Sequence, residues 1–130
     1  MKTLKDITQS IQIEVETHYN EDLSIPEENH YIFSYTITIY NNSSTPTRLT
    51  HRHWTITDGN GKVEKIDGPG VVGKQPYIEA GSNYQYSSGA VLETPFGIMQ
   101  GCYDMVTDQG YPFKAKISPF TLLKSKLTLH

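Results

Sequence analysis

Residues 48–77, RLTHRHWTITDGNGKVEKIDGPGVVGKQPY, contain the one tryptophan of the chain, its strongest turn signal and a run of clustered glycines. Trp54 and Ile56 recur with the period of two that is expected of a β-strand with one buried face. The Asp-Gly-Asn-Gly sequence after that strand favours a hairpin, because these residues tolerate positive φ angles. Leu49, His51, His53 and Thr55 fall on the opposite face of the strand. If the tryptophan face is buried, we expect both histidines to point outward.

The same alternation occurs on both sides of this stretch. In YIFSYTITIY at 31–40, one face takes Tyr31, Phe33, Tyr35, Ile37 and Ile39, and the other takes Ser34, Thr36 and Thr38. Shorter alternating segments lie at 11–16, 84–88, 99–105 and 113–117, separated by turn formers. About seven short antiparallel strands, with no amphipathic helix of credible length, predict an all-β, immunoglobulin-like sandwich of two sheets.

The chain of 130 residues fits a single domain, 1–130, large enough to bury its own hydrophobic core. Residues 1–9 form a polar lead-in, and residues 118–130 form a C-terminal tail rich in leucine and lysine. The tail either continues the last strand or lies along the body of the domain. Its leucines would then cover a sheet edge or cross to a second copy in a homodimer; they are Leu122, Leu123, Leu127 and Leu129.

Composition limits the classes of partner. The formal net charge is -3, without a basic patch that would displace counterions from nucleic acid, so we expect no nucleic-acid partner. Cys102 is the only cysteine and cannot form an internal disulfide, which favours a reducing compartment. No apolar run approaches the roughly 20 residues that span a bilayer. These features predict a soluble, cytoplasmic protein without membrane insertion.

The glycine run has the spacing G-x-G-x-x-G at Gly68, Gly70 and Gly73. A dinucleotide-binding loop of this spacing needs a helix after it, and Pro76 disfavours a helix there. One hypothesis that remains is an anion-binding nest of backbone N–H groups, to which Lys74 adds positive charge. The alternative is that the glycines serve turns, bulges and strand crossings.

The spacing His51-x-His53 places two imidazoles on one face of a strand, where they can chelate a divalent transition metal. Two ligands are too few for a site. The nearby carboxylates of Asp58, Glu64 and Asp67 would complete one only if the hairpin folds them back toward the histidines. The alternative is a pair of solvated surface histidines.

Signatures of nucleophilic and metalloprotease catalysis are missing from the sequence. It contains no G-x-S-x-G elbow and no H-E-x-x-H motif, and Cys102 has no local signature of a catalytic thiol. We therefore expect no enzyme and no cofactor.

Four segments carry a resemblance to a known family: RHWTITDGNG, GPGVVGKQP, SSGAVLETPFGIMQGCYDM and PFKAKI. They are similar to the ApaG family, and the similarity runs from about Ile11 to the C-terminus. The resemblance implies a fibronectin-III-like or immunoglobulin-like β-sandwich with no established catalytic residues. It also implies an association with cobalt and magnesium efflux or resistance. In this family the glycine run has been likened to a pyrophosphate-binding motif, and the matching positions here are Gly68, Gly70 and Gly73. Similar domains attached to F-box proteins in eukaryotes suggest a recognition module.

The sequence thus favours a non-enzymatic module that binds an unknown protein partner through an exposed strand edge or the loops beside Trp54. Arg52 and Tyr77 are the residues we expect on that interaction surface. The alternative is a regulator that binds a small anion, such as pyrophosphate or a nucleotide, or a divalent metal. It would use the glycine run or the pair of His51 and His53.

Overall fold

The computed structural model describes residues 3–125, which form two antiparallel β-sheets and one short α-helix. The elements are α1 (Leu4–Gln9), β1 (Ile11–Tyr19), β2 (Tyr31–Asn41), β3 (Thr47–Asp58), β4 (Val63–Pro69), β5 (Tyr77–Ile78), β6 (Asn83–Leu92), β7 (Phe96–Thr107) and β8 (Pro112–Leu123). The prediction of an all-β sandwich is confirmed. The described residues contain one strand more than expected, because the two-residue β5 counts as a strand of its own.

Strand order separates the two sides of the sandwich. One sheet has the order β1-β2-β6, and the other has the order β4-β3-β7-β8, with β5 also paired to β3. On one side, β1 packs beside β8, and α1 contacts both strands. On the other side, the end of β6 lies near the start of β4, and the middle of β6 lies across from residues 71–73 at the end of the glycine run. We call this second side the open side of the sandwich.

The core lies between the sheets and is centred on Trp54, which is 3% exposed. Its indole packs edge-on against Tyr35 of the smaller sheet and against Tyr103 of β7. The hydroxyls of Tyr86 and Tyr103 lie 2.5 Å apart, so a hydrogen bond also links the two sheets inside the core. Burial of each large apolar side chain here contributes roughly 1.5–3 kcal/mol to folding.

A β-bulge in β3 changes the faces that we predicted for this strand. The pairing register with β7 shifts between Leu49 and His51, so Thr50 is an extra residue. Because side chains alternate with a period of two, one extra residue turns all earlier positions to the other face. Leu49 is therefore fully buried, and its predicted place on the face opposite Trp54 is wrong. His51 and His53 lie beyond the bulge and point outward, as expected.

The polar lead-in folds into α1, which the sequence analysis missed because six residues are too few to show an apolar period. Thr3 and Asp6 form a capping box, in which each side chain bonds the backbone N–H of the other. Ile7 is the buried residue of this helix. Within residues 3–125, no helix is long and apolar enough to cross a membrane.

The C-terminal tail continues β8 up to Leu123. Leu122 is fully buried, and Leu123 is at the surface. Leu127 and Leu129 lie outside the described residues, so the part that we expected them to play stays a prediction.

We predict that Leu49→Ala lowers the free energy of unfolding by roughly 2–5 kcal/mol, because it leaves a cavity in the core. The control is Val63→Ala on β4, where the side chain is 54% exposed and the change should stay within about 0.5 kcal/mol. Urea unfolding of the two variants measures both values. A loss as small for Leu49→Ala as for Val63→Ala would contradict the bulged register.

Candidate functional site

The glycine run ends in a tight two-residue turn over residues 71–74. Val71 N donates to Lys74 O at 2.8 Å, and Lys74 N donates to Val71 O at 3.0 Å. The two central residues, Val72 and Gly73, have φ angles of 47° and 76°, as in a type I′ turn. The N–H groups at the two ends of the turn are therefore bonded to each other.

The first two glycines of the run are held by β3. Gly68 lies in β4 opposite Arg52, and Gly70 N donates to Thr50 O at 2.7 Å. A Cβ at Gly70 would lie 2.2 Å from the Lys74 carbonyl oxygen, and φ there is 61°, so the position requires glycine. The structure brings Gly70, Gly73 and Lys74 together in one turn, with Gly68 in the adjoining strand. That these residues bind an anion stays a prediction.

The two candidate metal ligands, His51 and His53, are both on the outward face of β3, but His53 already has partners. Its Nδ1 lies 2.6 Å from Asp67 Oδ1, and its Nε2 lies 2.8 Å from Asp104 Oδ2. Lys114 Nζ donates to Asp104 Oδ1 at 2.6 Å. Asp67, His53, Asp104 and Lys114 thus form a chain of alternating charge across β4, β3, β7 and β8.

This charge chain favours the imidazolium form of His53. Hydrogen bonds to Asp104 and then to Asp67 raise the pKa of His53 above its ordinary value. The hydrogen bonds from His53 and Lys114 lower the pKa of Asp104. A metal ion would have to displace a carboxylate from His53, and within residues 3–125 no group of three or more His, Cys, Asp and Glu is placed to hold one.

A cavity of about 190 Å³ opens between the sheets on the open side of the sandwich. We call it the Arg52 cavity. Residues 71–73 of the turn form one wall of the cavity. The other residues that line the cavity are Tyr35, Arg52, Trp54, Tyr86 and Ser88. The cavity was not predicted, because its walls come from three strands and a turn that are distant in the sequence. The one available signal was that Arg52 lies two residues from Trp54 and so shares its inward face.

Arg52 is a half-buried cation without an ion pair. Its Nη1 donates to Pro69 O and to Gly70 O, both at 3.1 Å. No carboxylate within residues 3–125 forms a salt bridge with it. Burial raises the pKa values of Tyr35 and Tyr86 above the ordinary phenol value, so these neighbours stay neutral. The positive charge in the cavity is therefore not compensated.

The second residue predicted on the interaction surface, Tyr77, lies apart from Arg52. Its hydroxyl donates to Asp108 Oδ1 at 3.1 Å, and the guanidinium carbon of Arg48 lies 5.4 Å from its ring centre. Arg52 reaches into the space between the sheets, whereas Tyr77 packs with Arg48 on the outside. The two residues therefore have different neighbours, and their part in an interaction surface stays a prediction.

The β6 strand, which forms one lip of the Arg52 cavity, has an unpaired edge. Among residues 3–125, β6 pairs only with β2. Asn41 N donates to Ser82 O, which makes these two residues a hydrogen-bonded pair. Since such pairs recur at every second residue, the odd-numbered residues of β2 form the hydrogen bonds with their even-numbered partners in β6. The intervening residues of β6 therefore direct their N–H and C=O groups away from β2. These are Asn83, Gln85, Ser87, Gly89 and Val91.

The β6 edge lacks the devices that usually protect a sheet edge from pairing. Its sequence, NYQYSSGAVL, contains no charged residue and no proline. By contrast, β4 carries Glu64, Lys65 and Asp67, and its last residue is Pro69. The other two outer strands, β1 and β8, both carry charged residues and pack beside each other.

Comparison with known proteins places this chain in a family. A sequence model described as the ApaG domain matches residues 21–107. The chain is also 54% identical over 119 residues to Protein ApaG of Shewanella loihica, covering 92% of this chain and 94% of that protein. This chain belongs to the ApaG family.

Solved structures agree with the ApaG sandwich. A Bordetella pertussis protein described as ApaA has a TM-score of 0.88 at 38% identity, covering 90% of this chain and 95% of its own. An X-ray structure of a structural genomics target has a TM-score of 0.87 at 49% identity, covering 95% of this chain and 96% of its own.

We predict that His53 of this ApaG chain titrates above the ordinary imidazole pKa of about 6.5. Because the folded pKa is raised, the stabilisation by the charge chain is present below about pH 6.5 and is lost as the pH rises through the folded value. His53→Gln should therefore reduce the free energy of unfolding more at about pH 5.5 than at about pH 9. NMR titration of the ring and urea unfolding measure the two effects.

The Asp104→Asn variant is the control, because it removes the larger cause of the shift. It should move the His53 pKa back toward its ordinary value. A His53 pKa that is at or below the ordinary value in the unmodified protein would contradict the charge chain.

Proposed function

We propose that this ApaG chain is a non-enzymatic interaction module that binds an extended segment of a partner protein along β6. The observation that carries the proposal is the edge of this strand, which has no second strand partner within residues 3–125 and no charge or proline to prevent pairing. A docked segment would add a fourth strand to the smaller sheet.

The proposal assigns affinity and specificity to different groups. The outward N–H and C=O groups of Gln85, Ser87 and Gly89 supply main-chain hydrogen bonds, which any extended peptide can form. Alternate side chains of the docked segment point inward, toward the groove between β6 and the turn at 71–74. That groove contains the Arg52 cavity, so it selects among sequences.

Val72 at the tip of the turn gives independent support for a docking surface. Its φ of 47° is unfavourable for a β-branched residue, and its side chain is 62% exposed. Residues held in sparsely populated conformations cluster at ligand clamps and functional sites. An exposed valine beside the cavity provides an apolar contact for a docked segment.

The partner that we propose is another protein of the cytoplasm. A second copy of this chain, paired through β6 in a homodimer, is the competing occupant of the same edge. The association with cobalt and magnesium efflux or resistance stays a prediction from the family resemblance, and no feature of the edge depends on it.

The second candidate function is a small-anion or metal-linked regulator that uses Gly68, Gly70, Gly73 and Lys74, or His51 and His53. Its support is the positive-φ turn with an exposed lysine. We rank it lower because the N–H groups of Gly70, Val71 and Lys74 already bond carbonyl oxygens. Calorimetric titrations with pyrophosphate and with cobalt test it directly, and saturable heat at millimolar ligand would reverse the ranking.

We predict that Ser87→Pro weakens the binding of edge-docked peptides on the order of tenfold or more, because it removes an outward N–H group. The matched control is Ser87→Ala, which keeps that N–H and loses only the 2.7 Å hydroxyl contact with Thr36. A second control, Lys65→Pro, places proline on the β4 edge and should leave binding unchanged. The ligands are peptides selected on the unmodified protein from a library of random ten-residue sequences.

Urea unfolding of each variant separates loss of binding from loss of the fold, and light scattering reports the oligomeric state. Selection of no peptide would refute edge docking, and so would equal binding by Ser87→Pro and Ser87→Ala. A dimer that Ser87→Pro converts to a monomer would make a second copy the occupant and refute a separate partner.

A further inference from the structure

We infer that the Arg52 cavity receives an acidic side chain, Asp or Glu, of the peptide segment docked on β6. This inference rests on the proposed function and specifies its partner as a strand with a carboxylate at an inward-facing position.

The position of the cavity follows from the pairing of β6. Tyr86 and Ser88 are two residues apart, so their side chains share the inward face of the strand, and both line the cavity. In an antiparallel pair, residues directly opposite each other project their side chains to the same face of the sheet. A docked residue opposite Tyr86 or Ser88 therefore projects into the Arg52 cavity.

The chemistry of the cavity selects an anion, because its guanidinium has unused donors. Arginine carries five N–H donors in a planar fork. Among residues 3–125, the partners of Arg52 are the carbonyls of Pro69 and Gly70, and both accept from Nη1. Nε and Nη2 form no hydrogen bond with residues 3–125. A planar fork with free donors matches a carboxylate, which accepts two parallel hydrogen bonds.

Arg52 is the cation of the structure best suited to this role. In the described part of the chain, the salt bridges occupy His53, Lys62 and Lys114. Arg48 lies over the ring of Tyr77 and donates to Gln75 O at 2.7 Å. Among the cations of residues 3–125, Arg52 combines partial burial, the lack of a salt bridge and a place in a cavity beside an open strand edge. A partly buried charge is costly without a partner, so a docked carboxylate stabilises the complex.

The position of the guanidinium is set by its neighbours. It lies over Gly68, where an added Cβ would be 3.0 Å from Nη1. The two carbonyls that accept from Nη1 belong to the end of β4 and to the glycine run, so the turn and the arginine are placed together. The side chain is therefore oriented before any peptide binds, which reduces the entropic cost of binding.

The experiment uses the full chain and the peptides selected from the random library described above. Each acidic peptide is synthesised again with Gln for Glu or Asn for Asp at every acidic position in turn. Affinity is measured by anisotropy of a labelled peptide. The fluorescence of Trp54, the one tryptophan and part of the cavity wall, reports whether the side chain enters.

We expect one acidic position at which the neutral replacement weakens binding to the unmodified protein by roughly 10- to 100-fold. The same replacement should change binding to Arg52→Met by less than about threefold, because the partner charge is absent. Arg52→Lys keeps the charge without the planar fork and should restore part of the preference. Gly68→Ala, which displaces the guanidinium without removing it, should give an intermediate loss.

Three results would overturn the inference. The first is that Ser87→Pro blocks the binding of the selected peptides, but neutral replacement of their acidic residues does not weaken binding. In that case edge docking still holds. The second is an acid-to-amide difference that persists in Arg52→Met, which places the carboxylate elsewhere. The third is inorganic phosphate or acetate that changes Trp54 fluorescence at the same concentration as the peptide, which makes the cavity a site for free anions. Selection of no peptide refutes the proposed function itself.

Discussion

The bulge at Thr50 in β3 is the constraint on which the core and the candidate site both depend. It turns Leu49 and Trp54 to the same buried face, although five positions separate them. The carbonyl of Thr50 accepts from Gly70 N at 2.7 Å and from Gln75 Nε2 at 2.9 Å. The extra residue therefore holds the glycine run against β3. These bonds help to position the turn at 71–74, which forms one wall of the Arg52 cavity.

Beyond the bulge, the two faces of the larger sheet differ in how their charges are paired. His53 and its carboxylate partners lie outside, where alternating charges link four neighbouring strands in solvent. Arg52 and Trp54 lie inside, at the mouth and the floor of the space between the sheets. Within residues 3–125, the charges of this outward chain are paired, and the inward charge of Arg52 forms no salt bridge. This difference leads us to place recognition on the inside.

On the open side of the sandwich, a hydrogen bond connects the two sheets at each end. At one end, Lys62 Nζ donates to Glu93 Oε1 at 2.9 Å and joins the hairpin after β3 to the end of β6. At the other end, the buried Asn41 donates from Nδ2 to Ile78 O at 3.0 Å, and its main chain bonds Ser82. These contacts connect the two sheets above and below the groove between β6 and the turn at 71–74. A groove that is connected at both ends needs little rearrangement to accept an extended segment.

Local patterns in the sequence predicted much of the fold and little of the site. The alternation at 31–40 corresponds to β2, and Pro76 correctly excluded a helix after the glycines, where the chain forms a turn and the short β5. Leu49 was misplaced because no residue type in RLTHRH signals a bulge. The Arg52 cavity and the open β6 edge were not predictable, since both result from pairings between distant segments. The carboxylate partner of His53 on β7 was missed for the same reason.

The most direct test of edge docking with carboxylate recognition is NMR on the full chain with a selected acidic peptide. Hydrogen exchange should slow at the outward amides of Gln85, Ser87 and Gly89, and the Arg52 Nε–H resonance should shift on binding. Slowed exchange confined to β4 or β8, or an Arg52 resonance that the peptide leaves unchanged, would contradict this account.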